Sequence, residues 1–327
     1  MTLSDNNFEP GYFSRNTHLQ TYFASSRLRL LGRNRMKEAA EKMLIDAGNQ
    51  VRLLGYYSRH SGGRAKGTVT LLHGWEGSSE SAYVLSAAKC LFLKGYNVFR
   101  LNLRDHGDSH DLNEGLFHGA LIDEVFNAYL RITEMSPASP QFLMGFSLGG
   151  NFALRIALLQ SKRRIQNLKR VVSISPALDP YKATVSIDTR YHIYRRYFLK
   201  KWKRSLIKKQ ALFPSMYDFG EVLKMDTCLA MTEAVMIYYP EFKDYRDYFN
   251  HYTLLGDIFK DLDVPVTIVS SEDDPVIPIE DLRELRKSDL LNVYIQKYGG
   301  HCGFFNAVPF DCWYESEIEQ ILLSEIS

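Results

Sequence analysis

The stretch "MGFSLGGNFA" (residues 144–153) sets Ser147 between Gly145 and Gly149. The apolar run "PQFLMGF" (140–146) leads into it, and the helical pattern "LGGNFALRIALLQ" (148–160) leads out. A strand that ends on G-x-S-x-G and turns at once into a helix projects its serine alone at a sheet edge. The glycines leave room for a strained backbone, and the N–H of Leu148, at the helix start, faces any negative charge that develops beside the serine. The pattern is short enough to arise by chance. Its reading therefore depends on the rest of the chain.

Around it, the chain alternates between two periods from residue 66 onward. Short β-rich runs are "GTVTLLHG" (67–74), "YNVFRLNL" (96–103), "LKRVVSIS" (168–175), "VPVTIVSS" (264–271) and "NVYIQKY" (292–298), together with 140–146. Helical patterns fall at 81–93, 121–134, 148–160, 279–287 and 309–323. Continuous apolar strands alternating with amphipathic helices predict a mostly parallel α/β sheet covered on both faces. "VRLLGYYSR" (51–59) reads as an antiparallel edge strand ahead of it. Residues from about 180 to 255 hold no clear strand and are rich in tyrosine, phenylalanine and basic residues. They are expected to form a helical insertion, a cap over the C-terminal edge of a single domain spanning 1–327, where ligands of open α/β sheets bind.

A nucleophilic serine needs a base, and in a sheet of this kind the acid and then the histidine follow the serine along the chain. Of nine histidines, His192, His251 and His301 come after Ser147, and the first two fall in the insertion. His301, in "YGGHCGFF", follows the last strand, and the two preceding glycines permit a sharp turn. The acid comes from "SSEDDPVIP", after the strand 264–271; Asp274, just before Pro275, is the first choice and Asp273 the next. A second N–H for an oxyanion is expected from Trp75 in "LLHGWEGSS" (71–79), while His73 is expected to serve its own loop.

Composition sets the outer limits. With 327 residues, 45% hydrophobic and 24% charged, and a net charge of +2, the chain has ordinary globular composition and no global field that argues for nucleic acid. No stretch approaches the roughly 20 apolar residues of a membrane span, and the start "MTLSDNNFEPGYFSRN" lacks a secretory apolar core. Four cysteines without a C-x-x-C pair suggest free thiols in a reducing cytoplasm. The basic character is local: "RRYFLKKWKRSLIKK" (195–209) carries eight basic residues and no acid, with Phe198, Trp202 and Leu206 four apart on one helix face. The plain reading is a solvated helix face docked by its aromatic side. Peripheral contact with anionic lipid headgroups comes second, and nucleic acid last, because no recognition motif accompanies the charge.

The pieces "RNTHLQT" (15–21), "HGWEGSSES" (73–81), "RLNLRDHGDS" (100–109), "GLFHGALIDEV" (115–125), "GFSLGGN" (145–151), "SISPALD" (173–179), "EDDP" (272–275) and "YGGHCGF" (298–304) cover nearly the whole chain in order. Together they resemble the α/β-hydrolases, and more narrowly the YheT-like family, with relatives of lipid esterase or acyltransferase activity. The resemblance implies Ser147 as nucleophile, Asp274 as acid, His301 as base and Trp75 and Leu148 at the oxyanion positions, with no metal or organic cofactor. It implies a carboxylic ester hydrolase acting on a small-molecule or lipid ester, and the aromatic insertion suggests an apolar acyl chain. Acyl transfer to an alcohol or lysolipid through the same residues is the alternative, and a non-catalytic binding protein the remaining one. Arg104-Asp105 departs from the Arg-Gly turn of many members, which puts pocket shape in doubt. The two H-x-x-x-x-D matches, "HGDSHD" (106–111) and "HGALID" (118–123), are expected to be structural or solvent-facing.

Overall fold

The computed structural model describes residues 8–61, 65–286, 288–308 and 310–323. A helix Thr17–Ala24 (α1) and a single turn Arg35–Glu38 (α2) precede the strands Ala40–Asp46 (β1) and Arg52–Ser58 (β2). The alternation follows as Thr68–Leu72 (β3), Ala82–Leu93 (α3), Asn97–Leu101 (β4), Ile122–Glu134 (α4), Gln141–Phe146 (β5), Leu148–Leu159 (α5) and Leu168–Ile174 (β6). Then come the helices Pro180–Thr189 (α6), His192–Leu212 (α7), Cys228–Val235 (α8) and Tyr245–Asn250 (α9). The chain closes with Val266–Ser271 (β7), Glu280–Arg283 (α10), Leu291–Gln296 (β8), Trp313–Ser316 (α11) and Ile318–Leu323 (α12).

Eight strands make one sheet in the order β1-β2-β4-β3-β5-β6-β7-β8. β1 pairs with β2, and β2 with β4, antiparallel; the remaining neighbours are parallel. β3, β5 and β7 are buried along their whole length, as strands covered on both faces must be. One face packs on α4 and α5 through Val125, Phe126, Tyr129, Phe152 and Ile156. The other packs on α3 and the last two helices through Val84, Leu91, Tyr314 and Ile321. An α/β-hydrolase fold results, with the C-terminal ends of β3, β5, β6 and β7 along one edge of the sheet.

Three expectations are corrected. The strand at 51–59 is antiparallel but not the edge, because β1 lies outside it. β1 reads "AEKMLID", and its largely solvated charged positions hide a strand's alternation. The helix expected at 279–287 is only the single turn α10, with Lys287 outside the described residues; short helices depend on packing more than on periodicity. The helix expected at 309–323 is two short pieces, α11 and α12, with Pro309 outside the described residues.

Between β6 and β7 the described residues form no strand. α6 begins where Asp179 accepts a hydrogen bond from Lys182 N at 3.0 Å and Pro180 takes the first helical position. α7 is the long member, with 21 residues. The four cysteines are free. Among the described residues, no helix is long and apolar enough to cross a membrane.

Candidate active site

Ser147 sits between β5 and α5 at φ 53°, ψ −119°, a conformation a serine adopts only when its surroundings force it. Its N–H donates to Ile174 O at 2.9 Å, and its carbonyl accepts Asn151 N at 3.0 Å, so the serine is pinned to β6 and to the first turn of α5. The flanking glycines are steric requirements. A Cβ on Gly145 would lie 2.1 Å from Gly149 O, and one on Gly149 would lie 2.4 Å from His73 O. The motif is thus the sequence signature of α5 crossing tightly over the ends of β3 and β5.

The turn after β7 delivers Asp274, which is 1% exposed. Its Oδ1 accepts Val276 N at 2.8 Å and Ile277 N at 2.9 Å, and its Oδ2 lies 2.9 Å from His301 Nδ1. Asp274, not Asp273, therefore touches the imidazole. Glu272 faces solvent and pairs with Arg283. Asp273 does not face solvent: its Oδ1 accepts Gly300 N at 2.9 Å, which fastens the acid turn to the histidine loop. His301 follows Gly300, whose φ of 53° shapes the turn. Burial alone would push the imidazolium down, but the Asp274 carboxylate outweighs it and holds His301 well above the ordinary histidine range. Ser147 Oγ and His301 share no hydrogen bond in this arrangement. With Nδ1 committed to Asp274, Nε2 is the nitrogen left to take a proton.

The loop after β3 closes on the serine. A Cβ on Gly74 would lie 3.1 Å from Ser147 Cβ, so Trp75 follows immediately beside the elbow. The N–H of Leu148 is one of the first-turn donors that α5 itself cannot satisfy. His73 is neutral and structural: its Nδ1 donates to Gly74 O at 2.8 Å, and Leu103 N donates to its Nε2 at 3.1 Å. Burial pushes its pKa down. Glu76, one residue past Trp75, is pushed up to about 8 by burial against the pull of Lys201.

Ser147, Trp75 and Leu148 open into a cavity of about 90 Å³. Its walls are mostly apolar, and the roof is α7, whose Phe198 and Trp202 line it. Trp75 stacks on Phe198 at 5.3 Å and meets Trp202 edge-on at 5.1 Å. The aromatic side of 195–209 is thus docked inward, as its spacing predicts. One basic residue of the stretch is fully buried with it. Lys209, its side chain fully buried, donates to Asp105 Oδ1 at 2.8 Å and to the carbonyls of Asn113 at 2.6 Å and Gly115 at 3.1 Å. Asp105 is the residue where the Arg-Gly turn is departed from. It holds φ 55° and serves as the anchor for α7.

α1 carries residues that sequence reasoning quoted without a role. Thr17 Oγ1 donates to Asp273 O at 2.6 Å, and Thr21 Oγ1 accepts His301 N at 2.9 Å. The buried Gln20 bonds Phe305 through both ends of its amide, Nε2 to the carbonyl at 2.9 Å and Oε1 from the N–H at 2.7 Å. α1 therefore grips the acid turn and the histidine loop together. The only sequence signal was polar residues spaced at helical intervals in "RNTHLQT". In neither H-x-x-x-x-D match does the histidine meet the aspartate. His106 bonds Arg104 O and Glu76 N, while Asp111 is exposed. His118 pairs with Glu241 at 3.0 Å, and Asp123 with Arg163 at 2.6 Å. His118 does differ from expectation in lining the cavity. Among the described residues, no group of three or more histidine, cysteine, aspartate or glutamate side chains is placed to hold a metal ion.

The chain is similar to several known proteins. Residues 63–289 match the family Hydrolase_4, described as serine aminopeptidase, S33. "Protein abhd-3.2" of Caenorhabditis elegans is 25% identical over 244 residues, which is 73% of this chain and 64% of that relative. The chain thus spans less than two thirds of the curated relative it matches. Among solved structures, the Pyrococcus furiosus esterase Pf2001 superposes with a TM-score of 0.57 at 15% identity, covering 91% of this chain and 99% of that one. A bacterial membrane phospholipase A superposes with a TM-score of 0.54 at 16% identity, covering 95% and 92%. At these identities the structures speak to the fold alone. The family match covers most of the chain, and the chain belongs to the serine aminopeptidase S33 (Hydrolase_4) family of α/β-hydrolases.

Proposed function

We propose that the chain is a carboxylic ester hydrolase that works through an acyl-enzyme. The carrying observation is the Asp274–His301 pair at 2.9 Å, set on the same sheet edge as a serine held at φ 53°. Ser147 Oγ attacks the ester carbonyl, and its proton passes to His301 Nε2. Asp274 holds the ring in the tautomer that leaves Nε2 free and stabilises the imidazolium that forms. The N–H groups of Trp75 and Leu148 hold the tetrahedral oxyanion. His301 then protonates the departing alcohol, and water releases the acyl group by the same steps in reverse.

An ester with an apolar acyl chain suits the cavity better than a peptide N-terminus. The walls are largely aromatic and aliphatic, and among the described residues no carboxylate lines them. An α-ammonium group brought there would be desolvated without a carboxylate to pair with. A fluorophosphonate probe should label the protein at Ser147, and p-nitrophenyl esters of rising chain length should be cleaved with a preference for chains longer than acetate. A peak at acetate contradicts the apolar-chain reading. Transfer to an alcohol or lysolipid shares every step up to the acyl-enzyme. The ratio of transfer to hydrolysis with added acceptor separates the two.

A further inference from the structure

α7 has two unlike faces. Phe198, Trp202, Leu206 and Lys209 fall on the inner one, toward the cavity and Asp105. At 100° per residue, Ile193, Arg196, Tyr197, Lys200, Arg204, Ile207 and Lys208 fall within one arc on the opposite side. All seven are exposed; Ile193 is 68% exposed, Ile207 55% and Tyr197 43%. Four of the seven are basic and none is acidic. Among the described residues, Arg196, Lys200 and Arg204 make no ion pair; Lys208 lies 3.8 Å from the exposed Asp108. A face needed only for solubility has no use for isoleucines that remain more than half exposed at both ends of the helix. A face built for an acidic protein or a nucleic acid would gain little from them.

α1 packs beside the start of α7. His18 of α1 meets Tyr191 at 4.7 Å and bonds Tyr194 Oη at 2.9 Å, so α1 lies against that end of the helix. There Leu19 is 41% exposed and Tyr22 67%. Basic heads interleaved with aliphatic and tyrosine side chains along a helix of about 30 Å fit the boundary between headgroups and acyl chains, where lysine and arginine stems lie along apolar surface and the charges reach lipid phosphates.

We infer that the outer face of α7 docks on an anionic lipid bilayer. The same helix roofs the cavity on its inner side, so docking brings the cavity within about one helix diameter of the headgroups, roughly 10–12 Å. In the proposed function, this names a membrane-resident lipid ester as the substrate presented to Ser147. The docking itself does not depend on that chemistry.

Sedimentation with phosphatidylcholine vesicles, with and without phosphatidylglycerol, tests it on the intact chain. Binding is expected to the anionic vesicles only and to fall as salt rises. Neutralising any one of Arg196, Lys200 and Arg204 should weaken vesicle affinity about fivefold. Replacing all three by glutamate should abolish it, and Ile193→Ser with Ile207→Ser should weaken it at unchanged patch charge. Fluorophosphonate labelling of these variants in vesicle-free buffer should match the parent, which shows they are folded and separates docking from catalysis. Equal binding to neutral vesicles overturns the inference, as does undiminished binding by the triple glutamate variant. So does a variant that loses affinity for an oligonucleotide or an acidic protein while its vesicle binding stays intact.

Discussion

The elbow at 145–149 and the roof helix at 192–212 stand on opposite sides of one cavity, and they are specified in opposite ways. At the elbow the constraint is backbone against backbone: a methyl group on Gly145 or Gly149 would collide with main-chain atoms that cannot move. Such a constraint leaves a mark in the local sequence. In α7 the constraint is side chain against a distant partner. Lys208 and Lys209 are neighbours of identical chemistry, yet one is exposed and the other fully enclosed, because Asp105 waits on the inner side alone. Nothing within "LIKKQ" distinguishes them.

The sharpest way to break this comparison is at the acid turn, where two adjacent aspartates are placed as differently as the two lysines. Asp274→Asn is expected to lower kcat about 10⁴-fold, because the amide favours the wrong histidine tautomer, while Asp273→Asn should cost far less. Equal losses would mean that the 2.9 Å contact does not select Asp274. The parent enzyme's kcat/KM should rise with pH through a midpoint above the ordinary histidine value of about 6.5, since the base must be neutral and Asp274 holds the imidazolium. In Asp274→Asn that midpoint should move down. The same pair contributes stability that is fully present below pH about 6.5 and is lost as pH rises through the elevated pKa.

Next in size is the lysine pair. Lys209→Met leaves Asp105 buried without its cation and is expected to destabilise the protein by about 3–5 kcal/mol. Lys208→Met should lie within about 0.5 kcal/mol of the parent. Chemical denaturation of the two variants reads the difference directly. A smaller effect is expected from α1. Thr21→Val removes the acceptor for His301 N and should lower kcat about tenfold with KM nearly unchanged, the split expected of a residue that positions the base and does not touch substrate. Thr21→Ser should restore most of the loss. Smallest is the roof: Phe198→Ala opens the cavity beside Trp75 and should shift the preferred ester by a few carbons, with a change in kcat/KM of about 10-fold per methylene or two.

Legibility followed the same division. The alternation from residue 66, the elbow, the acid turn and the histidine loop were readable because each is set by local period, by glycine or by chain order. The first 50 residues were not. β1 is a mostly solvated strand whose charges mask its alternation. α1 matters through Thr17, Gln20 and Thr21, whose partners lie more than 250 residues away in sequence. The helical content of 195–209 and its inward aromatic face were readable from the spacing of Phe198, Trp202 and Leu206. The inward turn of Lys209 was not, since it answers to Asp105 across a gap of 104 residues. His118 was set aside with its motif, and only the folded chain puts it in the cavity wall.

Ester cleavage at this site requires Ser147 as the attacking group. Incubation with a fluorophosphonate probe, followed by mass analysis of the labelled peptide, tests this directly. The expected result is one adduct on the peptide that contains Ser147, at a rate that rises with pH as His301 loses its proton, and no adduct in Ser147→Ala. Labelling that persists in Ser147→Ala, or ester cleavage that survives it undiminished, would contradict the account.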